Sequence, residues 1–166
     1  MNTQKAIECV LWLIQRGRSD SYNMYNIFKM LYEAEKYHLN TYGRPITGDN
    51  YMAMEHGTVP SWIYDQTENR SARIGFLRYE KILVAERKPI TKFFSKSDIK
   101  ALEHGYNEYA GLSFNAVRDK NHKEPAWKKN YELRGDSKRA PIPFEDLINE
   151  DWLKEELETT SSTMVL

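Results

Sequence analysis

Between Met24 and Tyr42 the residues Met24, Ile27, Phe28, Leu31, Glu35, His38 and Tyr42 recur at steps of three and four. That spacing puts them on one face of a helix. It predicts a helix from about Tyr22 to Tyr42, ended by Gly43 and kept from continuing by Pro45. Whatever the chain folds into must bury this stripe, including Glu35 and His38, two polar groups on an apolar face. The next stretch, 43–60, carries Gly43, Pro45, Gly48, Gly57 and Pro60, interrupted by Tyr51, Met52 and Met54. Glycines there suit turns that need positive φ, and the apolar bulk argues for a structured connection. Pro60-Ser61 is expected to open a short helix through Tyr64.

The flanks follow similar rules. Ala6, Ile7, Val10, Leu11 and Ile14 predict a helix from about Thr3 to Gln15, with Thr3 as N-cap and Gly17 as the stop. Leu77 with Tyr79 and Ile82 with Val84 alternate as β-strands do, with Glu80-Lys81 as the turn between them. Ser95 and Asp98 have the spacing of a capping box for a helix from about Lys96, with Ile99, Leu102, Tyr106 and Tyr109 as its stripe. Ser113 is expected to cap a helix over 114–120. Pro143 and Phe144 open a last helical stretch through Glu158. The fold class is therefore α+β and predominantly α-helical, a single compact domain over 1–158 with a small antiparallel β element, followed by a disordered tail over 159–166.

The charges exclude one broad class and leave another open. The 166 residues hold 24 basic and 24 acidic side chains, so there is no overall basic field to attract nucleic acid. Locally, 114–140 has a surplus of four positive charges (eight Lys/Arg, four Asp/Glu) and 141–166 a surplus of six negative ones (seven Asp/Glu, one Lys). Either the two segments pair or they present separate faces; solvated surface is the default for both. Cys9 is the single cysteine, which rules out an intramolecular disulfide framework. The N-terminus lacks a signal-peptide layout, and 10–14 is too short an apolar run to span a bilayer. A cytoplasmic protein without a membrane partner is expected.

Catalytic and metal chemistry find little support in the residue pattern. Glu35 and His38 are helical neighbours. Either they form a polar network that fixes the helix-to-loop junction, with Arg44 or Asp49 supplying the partner, or they present a polar patch to a binding partner. Glu-x-x-His resembles half of a carboxylate-bridged metal site, but the one echo is Asp119-x-x-His122 in a polar stretch. The expectation is no metal and no cofactor. No phosphate-cradling loop with Lys and Ser/Thr and no nucleophile elbow occurs. An enzyme built from Glu35, His38, His56 and Asp49 stays as an alternative. So does a nucleic-acid binder using the basic run 118–139 with Phe114, Trp127 and Tyr131 interleaved, which ranks behind protein binding.

The segment 29–65, KMLYEAEKYHLNTYGRPITGDNYMAMEHGTVPSWIYD, carries long ordered motifs. Leu31, Tyr32, Ala34, Glu35, His38 and Leu39 match an LY-x-A-(D/E)-x-x-HL-like helix end. A YG-(R/K)-PITGD turn follows at 42–49, and a Y-x-A-x-x-HGPVP-like strand and turn at Tyr51, Ala53, His56, Gly57, Val59 and Pro60. Weaker agreement extends through 93–113, through Glu124-Pro125-Ala126-Trp127, read as a turn, and through 144–148. On these motifs, covering about residues 5–150, the chain resembles the Panacea domain (the SocA-like antitoxin domain). One departure is Thr58, where the pattern more usually has proline, an exchange expected to loosen the local backbone.

The resemblance implies a non-enzymatic antitoxin of a two-gene toxin–antitoxin pair, often carried by phages and prophages. Such a protein neutralises a cognate protein toxin by direct binding, and the toxins of the family include toxic small alarmone synthetases. An alternative within the family is a proteolytic adaptor that delivers its toxin to an ATP-dependent protease. The motif residues Tyr32, Glu35, His38, Tyr42, Gly43, Pro45, Gly48, Asp49, His56, Gly57 and Pro60 are expected to form a structural network. Trp12, Trp62, Trp127 and Trp152 are read first as core. Because exposed Trp, Tyr and Arg dominate interface energies, Arg44, Trp62, Tyr64, Trp127 and Arg134 are the expected toxin contacts. Homo-oligomerisation stays open.

Overall fold

A computed structural model of the chain describes residues 1–149 together with 155, 158 and 159. The helices are α1 (Thr3–Arg16), α2 (Met24–Tyr42), α3 (Ser61–Glu68), α4 (Lys96–Tyr109), α5 (Phe114–Asn121) and α6 (Pro125–Leu133). The strands are β1 (Ser21–Asn23), β2 (Tyr51–Met54), β3 (Gly57–Pro60), β4 (Phe76–Tyr79), β5 (Ile82–Ala85) and β6 (Arg139–Ile142). Short 3-10 helices lie at Thr91–Phe93 and Phe144–Leu147. The fold is α+β, mostly helical, with two small antiparallel sheets, ordered β1-β5-β4 and β3-β2-β6. Most of the last helical stretch expected after Phe144, Trp152 within it and the tail from 160 on lie outside the described residues. Among the described residues no helix is long and apolar enough to cross a membrane.

The hub is α2. Its buried residues include Met24, Ile27, Phe28, Met30, Leu31, Tyr32, Ala34 and Leu39. The stripe is therefore wider than one face: neighbours cover the helix nearly all round, as its richness in apolar bulk demands. Each large apolar side chain withdrawn from water here contributes about 1.5–3 kcal/mol. Helix α4 crosses α2 at Gly105, where a methyl group would collide with the Met30 carbonyl oxygen. The buried face of α4 is Asp98, Ala101, Leu102, Gly105 and Tyr109; Ile99 and Tyr106 from the expected stripe are half-buried at its edge. Two apolar clusters result. The larger joins α1, α2, α4 and β5, and the smaller gathers Tyr32, Leu39, Tyr51, Ala53, Ala126, Trp127, Ile142 and Leu147 around β2 and α6.

Element ends deviate instructively from the sequence expectations. Asn2, not Thr3, caps α1, accepting from the Lys5 N–H at 3.0 Å. Gly17 has an ordinary φ of −72°; what it cannot hold is a Cβ, which would lie 2.8 Å from the Tyr22 ring. Tyr22 does not start α2. It lies in β1 opposite Leu83 of β5, and Asn23 caps the helix by accepting from the Tyr25 N–H. Gly43 stops α2 in the left-handed region (φ 72°), and its N–H donates to the Leu39 carbonyl. The hairpin β4–β5 turns through Glu80 at φ 53°. Ser95 and Asp98 form the expected reciprocal capping box. The Pro125-Ala126-Trp127 run is not a turn but the first turn of α6, with proline where a helix needs no donor.

Candidate functional site

Around the C-terminal half of α2 the motif residues consume one another. Glu35 is buried, and its carboxylate accepts from the N–H groups of Ile46 (2.8 Å), Gly48 (3.0 Å) and Thr47 (3.4 Å) and from the Thr47 hydroxyl. The partner is thus the backbone of the PITG turn, not Arg44 or Asp49. Burial pushes the Glu35 carboxyl above its ordinary value, against the pull of those donors. Asp49 instead caps α3, accepting from the Trp62 and Ile63 N–H groups at 3.0 and 3.2 Å. Burial also raises its pKa, opposed by these bonds. His38 Nδ1 lies 2.7 Å from the Arg44 carbonyl, so it donates there, while Nε2 accepts from the Ser97 hydroxyl at 3.0 Å. Burial lowers the His38 pKa, against the pull of the Arg44 carbonyl and of the Asp98 carboxylate 3.4 Å away.

Of the other motif positions, Tyr32, Gly57 and Pro60 are buried, whereas Tyr42 and Pro45 are exposed. The Tyr32 hydroxyl donates to Glu124 at 3.2 Å, and its ring meets Tyr51 edge-on. Pro60 pairs with Tyr51 and immediately precedes α3. Gly48 (φ 75°) and Gly57 (φ 114°) hold left-handed conformations, and Pro45 sits between the end of α2 and Gly48. Tyr42 is 40% exposed, with its ring centroid 4.7 Å from that of His38. Arg44 projects toward Ser97 and Ser95 at the start of α4 with half of its side chain in solvent.

Around the N-terminal half of α2 the balance differs. Lys29 is fully buried, and its Nζ has no hydrogen-bond partner; it lies 5.7 Å from the Tyr25 ring centroid. Burial pushes its pKa down to about 7. His56 Nδ1 and Thr58 Oγ1 are also buried without a partner. His56 is packed edge-on against Tyr25 and Phe114. Gly57 leaves room for this crowding: a Cβ there would lie 2.8 Å from Lys29 Cε and would collide with Asn121 Oδ1. Thr58 is not loose. It is buried in β3, and its N–H donates to Asn121 of α5 at 2.6 Å. Proline has no N–H, so the departure from the family pattern supplies the donor that Asn121 uses.

In front of this region runs a groove of about 440 Å³. Tyr25, Tyr64 and Tyr131 are among its walls, Phe28, Val59 and Met54 give it apolar surface, and Glu55, His56, Arg134, Ser137 and Lys138 supply the polar groups. The structure thus brings Tyr64 and Arg134, two of the five expected contacts, to one site. Trp127 stands behind it: only 9% exposed, it donates from Nε1 to the Met54 carbonyl at 2.8 Å. His122 stacks on Trp127 at 3.8 Å, Tyr131 stacks on Trp127 at 4.7 Å, and the Arg134 guanidinium covers Tyr131 at 3.6 Å. Arg44 and Trp62 do not line the groove. Sequence reasoning missed Tyr25, Tyr131 as a groove wall, and Lys138. The signal for Tyr131 and Lys138 was the mixing of Tyr and Lys/Arg along 131–138, which becomes a site only when β6 pairs with β2.

Asp119 and His122 do not share a ligand geometry. Asp119 pairs with Arg118, and His122 Nε2 donates to the Glu55 carbonyl. Among the described residues no three His, Cys, Asp or Glu side chains converge as metal ligands would.

The architecture is that of a small helical α+β module whose motif residues lock a helix–turn–hairpin core. The model of the antitoxin SocA-like, Panacea domain family matches residues 27–128, more than half of the chain, and the chain belongs to that family. The match runs from α2 into the first turn of α6, leaving α1, β1 and β6 outside it. No curated protein and no solved structure matches the chain.

Proposed function

We propose that this chain is the antitoxin of a bacterial or phage two-gene pair and that it neutralises a protein toxin by binding it, without turnover. The observation that carries the reading is the family match over 27–128. The fate of the motif's titratable groups supports it. Glu35, His38 and Asp49 are committed to hydrogen bonds that hold the turn, the α4 start and the α3 N-terminus in place. A general acid or base must reach a substrate proton, whereas the Glu35 and Asp49 oxygens accept from, and His38 Nδ1 donates to, the scaffold's own backbone. The motif thus specifies a scaffold, and the exposed aromatic and basic side chains around it are the means of contact. Action in the cytoplasm, where a toxin of this kind is made, belongs to the same reading.

The test is induction of the adjacent open reading frame alone and together with this chain, following growth, toxin level and co-purification. Direct neutralisation expects growth arrest by the neighbour, rescue with the toxin still present, and a stable complex. Rescue accompanied by loss of the toxin would mean delivery to a protease instead. A rise in alarmone pools during the arrest would identify the toxin as a small alarmone synthetase. A harmless neighbour would remove the antitoxin reading.

A further inference from the structure

The groove in front of α2 has a composition that selects its occupant. At one end, Arg134 lies flat on Tyr131, held by a 2.7 Å hydrogen bond from Nη1 to the Tyr131 carbonyl. A guanidinium fixed this way keeps further donors in a planar fork suited to a carboxylate. Lys138 lines the same groove, is exposed, and makes no ion pair among the described residues. Lys29 lies buried beside the Tyr25 ring, with its Nζ unpartnered. Against these the groove offers one carboxylate, Glu55. Between the charged groups, Tyr25, Tyr64 and Tyr131 give rigid aromatic walls, a surface that binds apolar side chains at low entropic cost.

We infer that this groove receives an acidic segment of the partner protein, carboxylates meeting Arg134 and Lys138 while a neighbouring aromatic or aliphatic side chain enters between Tyr64, Tyr131 and Tyr25. The inference rests on the antitoxin reading for the identity of the partner, but its chemistry stands on the groove alone. Nucleic acid fits less well. The apolar and aromatic lining has no use on a phosphate backbone. The groove is also shared between two parts of the chain. Tyr25 and Tyr131, Arg134 and Lys138 lie outside the span matched by the family, whereas Phe28, His56, Val59 and Tyr64 lie within it. A wall inside the match and a wall outside it allow one scaffold to take different toxins through the charge pattern of 131–138.

The purified full chain is applied to arrays of short peptides in which a Phe or Leu is flanked by Glu, by Gln or by Lys, with a single-stranded RNA oligonucleotide as the competing probe. Amide shifts of the nitrogen-labelled chain map the bound peptide. The expected result is retention by the Glu set at least about tenfold above the Lys set, shifts at His56, Tyr64, Tyr131 and Arg134, and loss of both in Arg134→Glu/Lys138→Glu and in Tyr64→Ala. Arg44→Glu and Trp62→Ala bind as the parent does, and melting temperatures confirm that every variant folds. Equal retention of all three sets, an acidic preference that survives Arg134→Glu/Lys138→Glu, or tighter binding of the RNA would overturn the inference. Failure on the array beside working growth rescue removes this groove and keeps the antitoxin. Success on the array beside a harmless neighbour removes the toxin as the groove's occupant.

Discussion

The two halves of α2 treat buried polar groups in opposite ways. Toward its C-terminus, Glu35 and His38 are matched to donors and acceptors on the following turn and on α4. Toward its N-terminus, Lys29 Nζ, His56 Nδ1 and Thr58 Oγ1 are three of the four buried side-chain atoms left without a hydrogen bond among the described residues; the fourth, Asp98 Oδ1, lies beside His38 but has His38 Nε2 at 3.4 Å and Arg44 Nη1 at 3.7 Å. A buried polar group without a partner costs about 1–3 kcal/mol, more if charged. The contrast therefore divides a half that fixes the fold from a half that tolerates cost beside the groove. Stability is concentrated at one end of the helix, and the recognition proposed for the groove falls at the other.

The largest expected effect lies in the satisfied half. Glu35→Ala strips the N–H groups of Ile46, Thr47 and Gly48 of their acceptor in a buried site, and a loss of about 4 kcal/mol is expected in denaturant unfolding. A loss below about 1 kcal/mol would dissolve the distinction between the halves. Next is Thr58→Pro, which brings the chain to the more usual family residue but orphans Asn121 Oδ1. It is expected to cost about 2 kcal/mol, readable as a lower melting temperature.

Lys29 sharpens the comparison through pH. Its ordinary pKa of 10.5 falls to about 7 in the fold. Below that value both states carry the proton, and the fold bears the whole cost of a buried charge. Between the two values the unfolded chain binds the proton and the folded chain does not, so stability rises with pH, by at most about 1.4 kcal/mol per unit. Lys29→Met is expected to abolish this rise, seen as the difference between parent and variant urea midpoints from below neutrality upward. The smallest effect on stability belongs to the groove: Arg134→Glu is expected to change unfolding by no more than about 0.5 kcal/mol while weakening capture of acidic peptides.

Much of this was legible in the sequence where the signal is local. The α2 stripe and its Gly43 stop, the Ser95/Asp98 box and the Glu80-Lys81 turn follow from spacing and capping chemistry alone, and the family motifs located the locked turn. What escaped depends on distant partners. Tyr22 fits a helical period, yet β5, about 60 residues on, draws it into a strand. Strand β6 contains Pro141, a residue that argues against strands, and it pairs at the edge of its sheet with β2. Apart from the Thr47 hydroxyl, the donors to Glu35 and Asp49 are backbone N–H groups, invisible to a search for charged partners. The groove joins Tyr25 to Lys138 across most of the chain, and no local pattern marks such a pair.

The central claim, that the chain works by holding a partner with one end of α2 while the other end holds the fold, is tested most directly by size-exclusion chromatography of the chain with the purified product of its adjacent gene. The parent is expected to co-elute with it in a stable complex. Arg134→Glu/Lys138→Glu, melting at the same temperature as the parent, is expected to elute alone. Co-elution undiminished in that variant, or separate elution of the parent protein, would contradict the account.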